Sequence, residues 1–240
     1  HRHYRERFRQ LDIKNSGVLD ASQLAKLVAS FSLKAVNYVI AEAITEIDEE
    51  GSGEFVFEDF LQLLKLISDR EGFAKAEHRR ILDAFHDCDH KSTGRINTKD
   101  AVHVVRWLNF STDQVLVMDT ICQVDQEGKG ELNESMFLKV LGNLREAELL
   151  KIQECLAESL RQVPRSLVYS QLESIWNYLG YIPDQEALDE AIEDACFQLP
   201  CVLDVGDVWK ILEIYREREG FSRSMLRDLE FAFDKFDSQK

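Results

Sequence analysis

The run from Asp48 to Asp59 reads Asp-Glu-Glu-Gly-Ser-Gly-Glu-Phe-Val-Phe-Glu-Asp, and its oxygen-bearing groups are spaced to hold a hard cation. Asp48, Glu50 and Ser52 stand at positions one, three and five, the backbone carbonyl of Glu54 comes at seven, and Asp59 closes the stretch at twelve. Gly53 at position six can take the positive φ that a sharp turn requires. Phe55 at eight is apolar and faces inward, away from any ion. Calcium and magnesium both prefer such oxygen cages. The predicted metal residues are therefore Asp48, Glu50, Ser52, Glu54 and Asp59. Asp59 is one methylene shorter than glutamate, so one contact is expected to be monodentate or water-mediated, which weakens calcium or admits magnesium.

Other chemistry finds less support. His86 and His90 lie four apart on a helical spacing, but His90 falls inside another loop of the same kind, which favours a surface or capping role. Cys88, Cys122, Cys155, Cys196 and Cys201 form an odd, unpatterned set that reads as reduced thiols. The pairs Glu58–Asp59 and Glu42–Glu46 are accounted for by the loop frame rather than by acid–base catalysis. Trp107, Trp176 and Trp209 fall on or beside exiting helices and are expected in the core or on groove walls. No phosphate-cradling glycine loop, nucleophile elbow or kinase signature occurs. No catalytic residue and no enzyme activity are expected.

The elements that hold the loop recur. Aligned on position eight, seven loops begin at Asp12, Asp48, Asp89, Asp125, Leu160, Cys196 and Asp237, at steps of 36, 41, 36, 35, 36 and 41 residues. Position eight is Leu19, Phe55, Ile96, Leu132, Leu167 and Leu203 in turn. Positions thirteen, sixteen and seventeen are apolar in every readable copy, and four residues before each loop stand Phe8, Ile44, Phe85, Ile121, Leu156, Ile192 and Phe233. That spacing predicts helix, loop, helix with one apolar face. Such a unit must pair to cover itself, its position-eight residues meeting in a short antiparallel bridge. Arg-Glu-Gly-Phe occurs at residues 70–73 and again at 218–221, so four units form a larger repeat of 148 residues. The last loop is reached only as far as Lys240, and the parent chain is expected to continue with that loop and an eighth unit.

These motifs resemble the EF-hand superfamily over essentially the whole chain. Ile47 to Gly53 is similar to loops of troponin C and calmodulin, and Leu179-Gly180-Tyr181-Ile182-Pro183 with Glu186-Ala187-Leu188 resembles the link between paired hands in calmodulin. The resemblance implies an all-α fold of tandem paired helix-loop-helix lobes with short β bridges, calcium as the ion, and grooves that take partner helices. The expected pairs are 1–75 (loops 12–23 and 48–59), 76–150 (loops 89–100 and 125–136) and 151–220 (loops 160–171 and 196–207), with a seventh hand starting in 221–240.

The other loops depart from the family's ligand pattern. The first carries Lys14 at three and Gln23 at twelve; the third carries Lys91 at three and Arg95 at seven; the fourth carries Lys129 at five and Met136 at twelve. An ammonium in the cage removes a ligand and repels the ion. The fifth has Leu160, Pro164 and Arg165 at one, five and six, and the sixth has Cys196, Pro200 and Cys201. One or at most two loops are left for calcium or magnesium. Dead hands still bury apolar area, at roughly 25 cal/mol per Å².

A net charge of −15 and a pI near 4.9 disfavour nucleic acid and anionic membrane as direct partners, and no apolar run is long enough to span a bilayer. A basic or amphipathic partner helix suits that charge. Only three methionines occur, so the grooves lack the flexible lining of promiscuous binders. The expected function is a calmodulin-like scaffold that binds partner helices within a larger, cytoplasmic assembly. Long arrays of degenerate hands resemble cytoskeletal and ciliary proteins. The alternative is a genuine calcium sensor that regulates an enzyme.

Overall fold

A computed structural model describes residues 2–31, 34–110, 113–162 and 169–237. It is all-α, with short bridges. The elements are α1 (Arg2–Leu11), β1 (Leu19–Asp20), α2 (Ala21–Ala29), α3 (Asn37–Ile47), β2 (Glu54–Phe55), α4 (Phe57–Asp69), α5 (Lys75–Cys88), β3 (Arg95–Asn97), α6 (Thr98–Trp107), α7 (Gln114–Val124), β4 (Glu131–Asn133), α8 (Glu134–Gln162), α9 (Tyr169–Tyr178), α10 (Gln185–Asp194), α11 (Val205–Glu217) and α12 (Arg223–Asp237).

The position-eight residues pair as their pattern requires. β1 and β2 run antiparallel with Leu19 opposite Phe55, and β3 and β4 do the same with Ile96 opposite Leu132. Each strand is two or three residues long, because a loop wrapped around a turn leaves only that much extended backbone. The flanking helices bury the repeated apolar positions. Leu24, Phe60, Ala101, Phe137, Leu172 and Val208 are all buried, as are Phe8, Ile44, Phe85, Ile121, Leu156 and Ile192. Phe233, the seventh in that last series, is 71% exposed. Trp176 and Trp209 are in the core as expected, whereas Trp107 stands exposed at the end of α6.

The chain divides into two compact units, His1–Glu146 and Ala147–Lys240, and the division falls within α8. In the first unit the α1–α4 core centres on Phe60, whose ring meets Tyr4, Phe8, Phe31 and Phe57 at 5.8–6.1 Å. Phe85 meets Phe137 in the α5–α8 core at 5.7 Å. These two cores are tied by the first turns of α8 and the residues after them. Arg145 is wholly buried there. Its Nη2 donates to the carbonyls of Lys34 (2.7 Å) and Glu71 (2.8 Å), its guanidinium lies 4.0 Å from the Phe73 ring centroid, and Nη1 is 3.8 Å from the buried Glu77 carboxylate. Gly142 allows this approach, since a Cβ there would stand 3.2 Å from the Glu71 side chain.

The second unit has its own buried guanidinium. Arg216 Nη2 donates to Glu148 (2.9 Å), Nε donates to the Tyr181 hydroxyl (2.7 Å), and the group lies over Trp209. The 148-residue repeat is visible in contacts as well as in sequence. Arg70 clasps Glu46 with two hydrogen bonds, and the Lys75 amide donates to Glu42. At +148, Arg218 pairs with Asp194, and the Arg223 amide donates to Glu190.

One expectation differs. The expected boundary between residues 150 and 151 carries no helix break: α8 runs on through it to Gln162, so the exiting helix of the fourth unit and the entering helix of the fifth are one 29-residue helix. No glycine turn like 70–73 intervenes between them. Pro164, Arg165 and Leu167 lie outside the described residues.

Truncating Arg145 to alanine leaves the Glu77 carboxylate buried without its cation. Breaking a buried pair from one side costs about 3–5 kcal/mol. Urea unfolding of the full chain should show a loss of that order for the first unit, whereas Arg2→Ala, which breaks the exposed pair with Glu6, should stay within about 0.5 kcal/mol.

Candidate metal centre

The second loop runs from the end of α3 through β2 to the first turn of α4. Asp48 ends α3, and its carboxylate accepts the amides of Ser52 (2.8 Å) and Gly53 (3.0 Å). Gly51 and Gly53 both take φ of 65°, which turns those amides inward. Ser52 Oγ lies 3.2 Å from Asp48 Oδ1 and 3.2 Å from the Glu54 carbonyl. Three of the five predicted oxygens, from Asp48, Ser52 and Glu54, thus converge at one point. Glu50 is exposed at the loop rim. Asp59 is turned back as a helix cap, with Oδ2 accepting the Val56 amide at 2.8 Å.

Among the described residues no three His, Cys, Asp or Glu side chains gather around a single point. The loop's donors are nevertheless of the type a hard cation prefers: one carboxylate, one hydroxyl and one carbonyl in place, with two further carboxylates in the same loop. The residues fit such an ion by chemistry. Asp59 Oδ2 is engaged by the Val56 amide.

The same bracket is built three more times. Asp12 accepts from Ser16 (2.9 Å) and Gly17 (2.7 Å), Asp89 from Thr93 (3.0 Å) and Gly94 (2.6 Å), and Asp125 from Lys129 (3.1 Å) and Gly130 (2.7 Å). In the first and third loops the hydroxyls of Ser16 and Thr93 also sit 3.1 Å from the bracketing carboxylate and 3.2–3.3 Å from the position-seven carbonyl. The fourth loop carries its own cation, because Lys129 Nζ pairs with Glu127. In the sixth loop Cys196 turns the chain at φ 66° with no carboxylate to bracket the amides.

Position twelve serves the exiting helix in loop after loop. Gln23 accepts the Asp20 amide while Asp20 accepts that of Gln23, and Asp204 and Asp207 repeat the exchange. Asn97 caps Asp100, and Asn133 caps Met136.

Relatives agree with this geometry. The chain is 29% identical over 143 residues to calcium-binding protein CML19 of Arabidopsis thaliana, covering 58% of this chain and 81% of the relative. It is 29% identical over 136 residues to troponin C isoform 2B of Homarus americanus (56% of this chain, 89% of the relative) and 25% identical over 137 residues to troponin C of Tachypleus tridentatus (57% and 89%). These relatives and the paired helix-loop-helix fold are consistent with an EF-hand superfamily protein. No family model matches it. A solved homologue of programmed cell death 6 protein from Leishmania major is 13% identical, covering 73% of this chain and 89% of that one, and its TM-score of 0.26 carries no weight.

Arg145, Glu77 and Gly142 were not singled out by sequence reasoning. A buried arginine looks like any surface arginine until its surroundings are known. Glu46 and Asp194 could have been found, because both stand 24 residues before the arginine of the duplicated Arg-Glu-Gly-Phe turn.

The bracket has a pH signature. The Gly17 amide foremost, with Ser16, lowers the Asp12 pKa below the usual 3.8, and the Thr93 amide foremost, with Gly94, does so for Asp89. A depressed folded pKa gives stability that is present above the unfolded value and lost as pH falls through the folded one. Unfolding midpoints of the wild type should therefore fall as pH drops below about 4, and the double variant Asp12→Asn, Asp89→Asn should show a shallower acid limb. At the second hand, Asp59→Glu restores the longer carboxylate and should tighten divalent cation binding by about tenfold in calorimetry.

Proposed function

We propose that this EF-hand protein is a scaffold that binds partner helices within a larger assembly and holds a divalent cation at the second hand. The observation that carries this reading is the Arg145 tie. The guanidinium joins the carbonyls of Lys34 and Glu71 to the ring of Phe73, so the α1–α4 and α5–α8 cores are locked together through buried groups. Lys34 adds an ion pair to Glu146 at 3.5 Å. A pair of hands held this way is poorly placed to open on its own. The loops are also closed by their own hydrogen bonds.

Asp48, Ser52 and the Glu54 carbonyl would hold calcium or magnesium in the second loop, with Glu50 and Asp59 completing the set. The ion supplies charge that cross-links α3 to α4. The remaining hands serve as apolar building blocks. The acidic balance suits basic or amphipathic helices as partners and a cytoplasmic setting, cytoskeletal or ciliary by analogy with other arrays of degenerate hands.

A second reading, a calcium sensor that controls an enzyme, draws on the hydroxyl and carbonyl oxygens still gathered at Asp12 and Asp89. Calcium titration by calorimetry, with a fluorescent probe of exposed apolar surface, separates the two. The scaffold reading expects one or at most two ions and no rise in probe binding, with Asp48→Ala abolishing the tighter event. Three or more ions, with a rise in exposed apolar surface at micromolar calcium, would establish the sensor instead.

A further inference from the structure

One cavity of this acidic chain is lined mainly by basic side chains. Lys75, Arg79, Leu82 and His86 follow one another along α5 at spacings of four, three and four residues, so they share one stripe of the helix. With Glu42 of α3 and Arg70 at the end of α4, that stripe encloses a cavity of about 630 Å³. His78 and Asp83 flank the stripe and line the same space. The volume falls in the range of small-molecule sites.

Most of the charges around the cavity are already engaged. Arg70 donates to Glu46 through both terminal nitrogens, at 3.0 and 2.9 Å, and Lys75 Nζ lies 3.3 Å from the same carboxylate. Glu42 accepts the Lys75 amide at 2.9 Å, and His86 Nε2 lies 3.1 Å from Glu134. Arg79 is the exception. It is exposed, and its guanidinium makes no ion pair or hydrogen bond among the described residues, although Asp83 stands four residues on. The half-buried His78 imidazole likewise makes no hydrogen bond among them. Two donor groups thus line the cavity without an acceptor, beside an apolar wall of Ala76 and Leu82.

The duplication shows that this lining is not a requirement of the fold. The clasp beneath it is kept at +148, where Arg218 pairs with Asp194 and the Arg223 amide donates to Glu190. The lining is not kept. His78 and His86 correspond to Leu226 and Asp234. Along α10 and its cap, Asp184, Glu186, Asp189 and Glu193 correspond to Val36, Tyr38, Ala41 and Thr45. On the same framework the first copy therefore carries two more imidazoles and four fewer of these carboxylates, and adds one at Asp83 in place of Phe231.

We propose that the α5 cavity binds a small organic phosphate monoester. A guanidinium presents paired N–H donors in the geometry of a phosphate edge, and an imidazole N–H adds a further donor. Arg79 supplies the first and His78 the second, with the Lys75 ammonium adding charge. Leu82 and Ala76 meet the organic part of the ester. Asp83 is the carboxylate that opposes the anion, and its exposure to solvent screens it. This site goes beyond the scaffold reading and does not depend on it.

The test uses the full 240-residue chain in EDTA, with phenyl phosphate as the probe and amide chemical shifts in NMR as the readout. Binding should be about 1 mM or tighter, the affinity that about eleven non-hydrogen atoms support. Arg79→Gln should weaken it by about tenfold, the loss of one hydrogen bond to a charged group. Lys99→Gln, which removes an exposed cation of α6 outside the cavity, should change it by less than about twofold. Arg79 is exposed, so the circular dichroism of its variant should be unchanged. Burial foremost, with Arg70 beside it, lowers the His78 pKa, and Glu134 acts the other way. Bound phosphate should therefore move the His78 titration upward and leave that of the exposed His103 in place. No shift at about 10 mM probe, or binding that Arg79→Gln does not weaken, overturns the inference. Inorganic phosphate binding as tightly as the ester overturns the organic assignment, and phenol binding as tightly overturns the anionic one. Every arm is read without calcium, so the scaffold reading stands or falls separately on its calcium titration.

Discussion

A single aspartate at the head of each loop, accepting two amides four and five residues on, is the interaction from which the first four hands follow. An α-helix ends with unsatisfied carbonyls and a chain that must change direction. The carboxylates of Asp12, Asp48, Asp89 and Asp125 gather the amides of the turning backbone, and the turn delivers the position-eight residue to the bridge. The exiting helix is then started by a hydrogen bond between positions nine and twelve, reciprocal at Asp20 and Gln23 and one-way at Val56–Asp59 and Asn133–Met136. Both ends of the loop are fixed in this way.

That wiring explains why ligand loss and fold retention go together. Lys129 in the fourth loop replaces a ligand, yet its amide still serves the Asp125 bracket and its ammonium pairs with Glu127. The side chain has changed role while the backbone has not. Coordination asks for several oxygens on one ion, whereas bracketing asks for a single carboxylate, so degenerate loops can lose the first and keep the second. The buried arginines act at a different level. Arg145 joins two pairs of hands, and Arg216 anchors α11 to Glu148 and Tyr181. Each is held by several partners, as a charge withdrawn from water requires.

Much of the fold was legible because apolar spacing and loop spacing repeat together. The bridge pairs Leu19–Phe55 and Ile96–Leu132, and the buried series from Leu24 to Val208, lie where the repeat places them. The loop at Asp48 was legible as a set of oxygens, and Asp48, Ser52 and Glu54 do converge. What the pattern could not convey is that Asp59 would be turned to the Val56 amide. A carboxylate at position twelve is equally suited to capping a helix, and sequence spacing does not distinguish the two uses. The continuity of α8 was likewise hidden, because the expected boundary near residue 150 rests on the repeat alone and no glycine turn marks it.

The sequence by itself determined the modules: their number, their apolar faces, the bracketing aspartates and the 148-residue duplication, all of which depend on contacts between residues close in the chain. Only the tertiary structure decided how those modules are joined. Lys34, Glu71 and Arg145 are far apart in sequence, and their meeting depends on where α8 lies once two cores have formed. Burial belongs to the neighbour as much as to the residue, and a periodic pattern specifies the face without specifying what covers it.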